Sequence, residues 1–202
     1  MLTIALPKGR IAEETLDKFE KAFGEKFIFE NRKLILEKSG FKFLNVRNQD
    51  VPTYVMHGAA DLGVVGLDVL EEKEYDLIKL LDLQLGKCKV AFGLRCGEEL
   101  DLTKSKITVA TKHEKIAKRY FEEKAMAVDI IKLYGSIELA PLVNLSDCII
   151  DIVETGETMK QNGLEVGPTI MESSAHLIAN KNSYYAKKDK ILELRERIKA
   201  VL

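Results

Sequence analysis

The chain has 202 residues, 46% of them apolar and 31% charged, which describes a globular protein long enough to bury a core and excludes disorder and low-complexity designs. Its 31 Lys and Arg stand against 32 Asp and Glu, a net charge of -1, so a broad basic surface for nucleic acid is excluded while a local cationic pocket for a small anion is not. Asp61 and Asp68 interrupt the most apolar stretch, Gly58 to Leu70, short of the roughly 18 apolar residues of a membrane span, and the N-terminus lacks the order of a signal peptide, so a cytoplasmic location is expected.

In chain order, Leu2 to Leu6 predicts a buried strand, after which Ile11, Thr15, Phe19, Ala22 and Phe23 recur near one face of a helix. Phe41 to Val46 reads as a second strand. Asp50 is placed to cap a helix with Val51 and Pro52 in its first turn and Gly58 at its close. Leu62 to Val65 and Leu77 to Leu81 read as strands around a short helix, Leu67 to Lys73, for which Asp68 is a candidate cap. This spacing predicts parallel strands joined by crossovers.

Composition changes near Gly86 and the rhythm restarts. Lys87 to Cys96 and Ile107 to Ala110 read as strands, His113 to Ala125 as a helix with Ile116, Tyr120 and Phe121 inward, and Val128 to Tyr134 as a strand. Ile149 to Val153 is a β-branched run that passes through a polar turn into a helix ending at Asn162 and Gly163. The last segment, Tyr184 to Leu202, sets Ile191, Leu194, Ile198 and Val201 on one face of a covering helix. The expectation is an α/β fold of two lobes, residues 1–86 with 176–202 and residues 87–175, with mixed, mostly parallel sheets, flanking helices and a ligand in the cleft.

The strongest local chemical signal is Asp151-Ile152-Val153-Glu154-Thr155-Gly156-Glu157-Thr158. A strand that ends in Thr-Gly-x-Thr at a helix start offers unpaired N–H groups, two hydroxyls and a glycine that lets a phosphate approach. Glu154 and Glu157 would repel bare phosphate, so they and Asp151 suit ribose hydroxyls, Mg²⁺ or solvent. The plainer alternative is an ordinary turn with a Thr cap. A second signal is Lys8-Gly9-Arg10 at the end of the first strand, where ligands of open α/β sheets gather. Arg32, Lys33 and Arg47 add cations, the arginines able to grip phosphate in bidentate fashion, although each alone is more often a solvated surface charge. A third, Ala60 to Asp68, has glycines at both strand ends and is explained mostly by packing. Cys88, Cys96 and Cys148 form no C-x-x-C pair, and His57, His113 and His176 are scattered. Three packed thiols, without a disulfide framework or structural zinc, are expected.

Taken together, Ala5 to Arg10, Asn31 to Leu34, Arg47 with Asp50 to Pro52, Ala60 to Gly63, Ala110 to Lys112, Lys132 to Ser136, Glu138 to Val143 and Asp151 to Thr158 resemble the ATP phosphoribosyltransferases in their short form. One departure stands out: Asn144 occupies a position where the family usually has glycine. The resemblance implies a fold like the type II periplasmic binding proteins. It implies Mg²⁺-dependent transfer of phosphoribosyl from phosphoribosyl pyrophosphate to N1 of the adenine of ATP, the first step of histidine biosynthesis. Asp151, Glu154, Thr155, Gly156, Glu157 and Thr158 would bind phosphoribosyl pyrophosphate, Arg10 and Arg32 would be catalytic, and Lys8, Gly9 and Arg47 would contact ATP or pyrophosphate. The metal would be held mainly through substrate oxygens, with no dedicated protein ligands. The family also implies a homodimer, joined in a hetero-octamer with a regulatory subunit like histidyl-tRNA synthetase, and no C-terminal histidine-binding domain. A solute-binding or ligand-sensing module of the same bilobed fold is the alternative, but it has no need of Asp151 to Thr158.

Overall fold

The computed structural model describes residues 1–30, 32–101 and 103–202; Asn31, part of one motif above, lies outside them. The chain divides into two compact units, Met1–Gly86 with Ser174–Leu202, and Lys87–Ser173.

In the first unit β1 (Leu2–Pro7) pairs in parallel with β3 (Phe41–Val46) on one side and β4 (Leu62–Gly66) on the other. β2 (Ile35–Lys38) adds an antiparallel edge to β3, and the end of β9 (Leu164–Ala179) runs antiparallel to β4. The alternation of side chains along a strand sorts the core between the two faces of this sheet. Leu2, Ile4 and Leu6 join Phe19 of α1 (Arg10–Phe23) and Ile191, Leu194 and Ile198 of α8 (Lys188–Lys199). Ala5 and Val65 meet Val51 and Val55 of α2 (Val51–Met56) and Val69 of α3 (Leu67–Lys73). Five phenylalanines stiffen the first face; the rings of Phe19 and Phe43 meet edge to face at 5.0 Å. On the second face α2 lies so close to β4 that a Cβ on Gly63 would stand 2.7 Å from Val55 Cγ2, which is why the strand carries glycine there.

The second unit repeats the plan. β6 (Ile107–Thr111) pairs in parallel with β7 (Val128–Lys132) and β8 (Cys148–Val153), and β5 (Ile78–Arg95) runs antiparallel to β8. Phe92, Val109, Cys148 and Ile150 pack under α4 (Glu114–Glu123), whereas Ala91, Ala110, Ile149 and Val153 face α5 (Leu139–Leu142) and α6 (Glu157–Gln161). Burial pushes the Cys148 thiol up to about 12, so it is inert. Cys96 is exposed, contrary to the expectation of three packed thiols.

Several elements depart from the sequence expectation. The predicted strands Leu77 to Leu81 and Lys87 to Cys96 are one strand of 18 residues, β5, bent where Gln84 and Gly86 take positive φ. β2 was not expected, and of the 16-residue β9 only the apolar run around His176 reads as strand-like: Ile35 is half exposed, and Gly167, Pro168, Ser173 and Ser174 punctuate the rest of β9 like a loop. The antiparallel pairings of β2 with β3, β4 with β9 and β5 with β8, beside the parallel pairings of β1 and β6, make the sheet mixed, as expected. Asp50 does not cap α2 through its side chain, because a 3₁₀ turn, Asn48–Asp50, feeds directly into the helix. Asp68 sits buried inside the first turn of α3, with Gly66 at the cap. The covering helix is two helices, α7 (Lys181–Ala186) and α8, separated at Lys187, and Asn180 caps α7 by accepting the Ser183 N–H at 3.0 Å.

Asn144 takes the left-handed conformation, φ 57, the region that asparagine tolerates better than most side chains. The turn needs the backbone that the family's usual glycine gives, and asparagine supplies it. Arg95 fixes the turn, donating through Nη1 to the Pro141 carbonyl at 2.6 Å and to Asn144 Oδ1 at 3.2 Å.

Candidate active site

β8 delivers Asp151 and Val153 to its carboxyl end, where the chain turns through Glu154, Thr155 and Gly156 into α6. Gly156 has φ 82, and a Cβ there would lie 2.9 Å from Val166 Cγ2, so both conformation and space call for glycine. The Thr155 hydroxyl accepts the Glu157 N–H at 3.4 Å, and the first-turn N–H groups of α6 point toward the turn. A pocket of about 400 Å³ opens here. Asp151, Glu154, Thr155, Gly156 and Thr158 line it, with Lys112 and Glu138 from neighbouring segments. Glu157 is directed along α6, where its Oε1 accepts Gln161 Nε2 at 3.1 Å. The residues singled out from sequence at this turn thus line one pocket, except for Glu157.

Lys112 and Glu138 were given no role from sequence. Lys112 follows β6, whose parallel register with β8 sets Thr111 against Ile150 and so brings Lys112 beside Asp151. Its Nζ is 2.9 Å from Asp151 Oδ1. Only the strand pairing reveals this neighbour, since 39 residues separate the two in the chain.

The first unit gathers the other predicted residues along one sheet edge. Because β1 and β3 are parallel and in register at Pro7 and Val46, Lys8 and Arg47 emerge together, and the Lys8 N–H donates to the Val46 carbonyl at 2.8 Å. The antiparallel β2 brings its own start to the same edge: the Asn45 N–H donates to the Leu34 carbonyl at 2.8 Å, two residues beyond Arg32. Gly9, at φ 97 and ψ -153, occupies a region nearly restricted to glycine and turns the chain into α1 at Arg10. Lys8, Arg10, Arg32 and Arg47 are all exposed. Arg10 Nε stands 3.7 Å from Glu14 Oε1, an exposed pair that holds the guanidinium only weakly. Four cations converge on the carboxyl edge of parallel strands, the position at which α/β sheets bind ligands.

Among the described residues, no helix is long and apolar enough to cross a membrane. Nor, among them, do three or more His, Cys, Asp and Glu side chains form a cage for a metal ion.

The periplasmic aliphatic sulphonate binding protein SsuA of Escherichia coli matches 99% of this chain and 72% of its own at a TM-score of 0.63 and 12% identity, a likeness that shows the fold alone. The molecule thus has an α/β fold like that of the periplasmic binding proteins, with a pocket at a strand–glycine turn–helix junction in one unit and a cationic strand edge in the other. The family model described as ATP phosphoribosyltransferase matches residues 47–200. An ATP phosphoribosyltransferase of Sulfurovum sp. strain NBC37-1 is 68% identical over 202 residues, covering 100% of this chain and 98% of the relative. The ATP phosphoribosyl transferase (HisG:HisZ) complex from Thermotoga maritima contains a chain 37% identical at a TM-score of 0.84, covering 100% of this chain and 98% of that one. The chain belongs to the ATP phosphoribosyltransferase family.

Proposed function

We infer that the chain catalyses the first step of histidine biosynthesis, transfer of phosphoribosyl from phosphoribosyl pyrophosphate to N1 of the adenine of ATP with release of pyrophosphate. The observation that carries this reading is the Asp151 to Thr158 turn, a left-handed glycine between two threonines at the mouth of a pocket, in a chain of this family. A solute-binding module would have the fold without needing that turn.

The 5-phosphate is assigned to the N–H groups and hydroxyls of Thr155, Gly156 and Thr158. Glu157 contributes its backbone. Asp151 and Glu154 accept the ribose hydroxyls, which hold the sugar by two ends and fix C1 for attack. Adenine N1 is the nucleophile, so no protein nucleophile is needed. As the bond from C1 to pyrophosphate lengthens, negative charge grows on the departing oxygen, and Arg10 and Arg32 are assigned to meet it. Lys8, Gly9 and Arg47 are assigned to the remaining phosphates of pyrophosphate or ATP.

The residues present fit Mg²⁺, because Asp151 and Glu154 offer hard carboxylate oxygens beside a phosphate pocket and this ion is commonly held by one or two carboxylates together with substrate phosphates. When bound, it supplies charge neutralisation and Lewis-acid assistance to the leaving pyrophosphate. A regulatory partner resembling HisZ, a homodimer within the larger complex and a cytoplasmic location complete the proposal; the partner rests on the Thermotoga maritima complex.

The test is formation of phosphoribosyl-ATP by the purified chain from ATP, phosphoribosyl pyrophosphate and Mg²⁺, with pyrophosphatase present. Product is expected. No product, with calorimetric binding of phosphoribosyl pyrophosphate retained, would assign activity to the complex with the partner; neither product nor binding would reject the reading. Gly156→Ala forces a left-handed alanine against Val166 and should cost about 1–3 kcal/mol of stability. It should also weaken phosphoribosyl pyrophosphate binding at least roughly tenfold, because a displaced turn loses charge-assisted hydrogen bonds. Calorimetry on the folded variant checks it, and unchanged affinity would remove the turn from the site.

A further inference from the structure

The cradle is acidic. Asp151, Glu154 and Glu138 bring three carboxylates to its pocket, and Lys112 is the one cation among its lining residues. A sugar phosphate adds nearly two negative charges at neutral pH. Backbone N–H groups and hydroxyls hold it but carry no full charge, so a cation beside them strengthens binding against the three carboxylates.

Lys112 is built into place for this. Thr111, fully buried, donates its hydroxyl to the Ile150 carbonyl at 2.6 Å and accepts the His113 N–H at 2.9 Å. These bonds bracket residue 112 on both sides and lock the backbone that carries it to the seam of β6 and β8. The head group is directed by Asp151, whose Oδ1 lies 2.9 Å from Nζ and also accepts the Ile152 N–H at 2.7 Å. An ammonium has three N–H donors, so one contact to Asp151 leaves two for an incoming anion. The side chain is 39% exposed against 14% for Asp151, which places the cation on the open side of the pair.

We propose that Lys112, aimed by Asp151, is the cation that binds the sugar 5-phosphate in the cradle, and that Asp151 thereby serves as its positioning residue as well as a ribose contact. The inference rests on the phosphoribosyl reading of the pocket. It makes the Lys112–Asp151 pair part of the binding apparatus, where an exposed ion pair on a strand end would otherwise be a surface detail.

Ribose 5-phosphate is the probe, titrated into wild type, Lys112→Met and Lys112→Arg by calorimetry. Lys112→Met should bind it roughly ten- to a hundredfold more weakly, the loss of one charged hydrogen-bonding partner, while Lys112→Arg keeps most of the affinity. ³¹P NMR of the bound sugar phosphate supplies a readout that a purely structural residue would not move. Its second ionisation, near 6 in free phosphate esters, should fall on wild type and return upward on Lys112→Met. Equal affinity and an equal ³¹P titration in Lys112→Met and wild type would overturn the proposal, as would Lys112→Arg losing as much as Lys112→Met. Should Lys112→Met melt early, Lys112→Gln replaces it with the same expected outcomes. Failure of wild type itself to bind either ribose 5-phosphate or phosphoribosyl pyrophosphate would instead reject the cradle reading on which this rests.

Discussion

Arg32→Ala should lower kcat by about a hundred- to a thousandfold, the scale seen when one preorganised donor to a developing negative charge is removed, while the Kd for phosphoribosyl pyrophosphate changes only a few-fold. The split follows from when the charge appears. The pyrophosphate is already anionic in the ground state, but the bridging oxygen gains its charge only as the bond to C1 breaks, and a cation aimed there stabilises the transition state selectively. Arg32 is exposed and lies just before β2, on the edge where Lys8 and Arg47 emerge from β1 and β3. Its removal takes nothing from either core, so stability should stay within roughly 0.5 kcal/mol. Arg32→Lys should recover only part of the rate, since a point charge does not reproduce a planar fork. Steady-state kinetics together with calorimetry decide the matter. Equal losses in kcat and in affinity would mean that Arg32 holds substrate uniformly and has no transition-state role.

The parts of this molecule that sequence revealed are those in which local chemistry and tertiary structure demand the same residues. Leu2 to Leu6 and Ile149 to Val153 are mostly buried, and Phe41 and Phe43 bury one face of the third segment, so their apolar residues announce strands, and β3 has the predicted bounds. The turn at Gly156 was legible because a left-handed residue before a helix requires glycine. Most of β9 was not, because it carries Glu165, Gly167, Pro168 and Glu172 along partly exposed positions, and what makes it a strand is pairing, including Leu62 with Ala179, that lies more than a hundred residues away in the chain. β5 was cut in two for the converse reason. Gly86 looks like a loop signal, yet it is a bend inside a continuous strand. In the site the same division holds: each motif shows its own residues, whereas the pairing of Lys112 with Asp151 and the gathering of Lys8, Arg32 and Arg47 are products of sheet register.

Asp61 shows how far such a tertiary dependence can carry stability. It precedes β4, and sequence gave it only a place in a glycine-bounded motif. In the structure its buried carboxylate accepts the Thr3 N–H at 2.9 Å, the Ser183 hydroxyl at 2.7 Å and Lys187 Nζ at 2.7 and 2.8 Å. One side chain thus ties β1 and β4 to the junction of α7 and α8, the segment that returns to the first unit from the far end of the chain. Burial alone would raise its pKa, but the hydrogen bonds from Lys187, Thr3 and Ser183 outweigh burial and hold it below the usual 3.8. Asp61→Asn keeps the shape but cannot accept all of these donors, and it leaves Lys187 without its countercharge. It should destabilise the protein by about 3 kcal/mol at pH 7, a large share of the roughly 5–15 kcal/mol typical of a whole domain. A carboxylate with a lowered folded pKa contributes stability in full above its unfolded pKa and loses it as pH falls through the folded value. The gap between wild type and Asp61→Asn should therefore be widest above about pH 5 and close as pH drops below roughly 4. Urea unfolding of both proteins across that range measures it. Lys187→Met should cost a similar amount, and the double variant much less than the two single losses together, because one interaction is being removed twice. A gap that persisted undiminished at low pH would show that the Asp61 charge is not what holds the C-terminal helices to the first sheet.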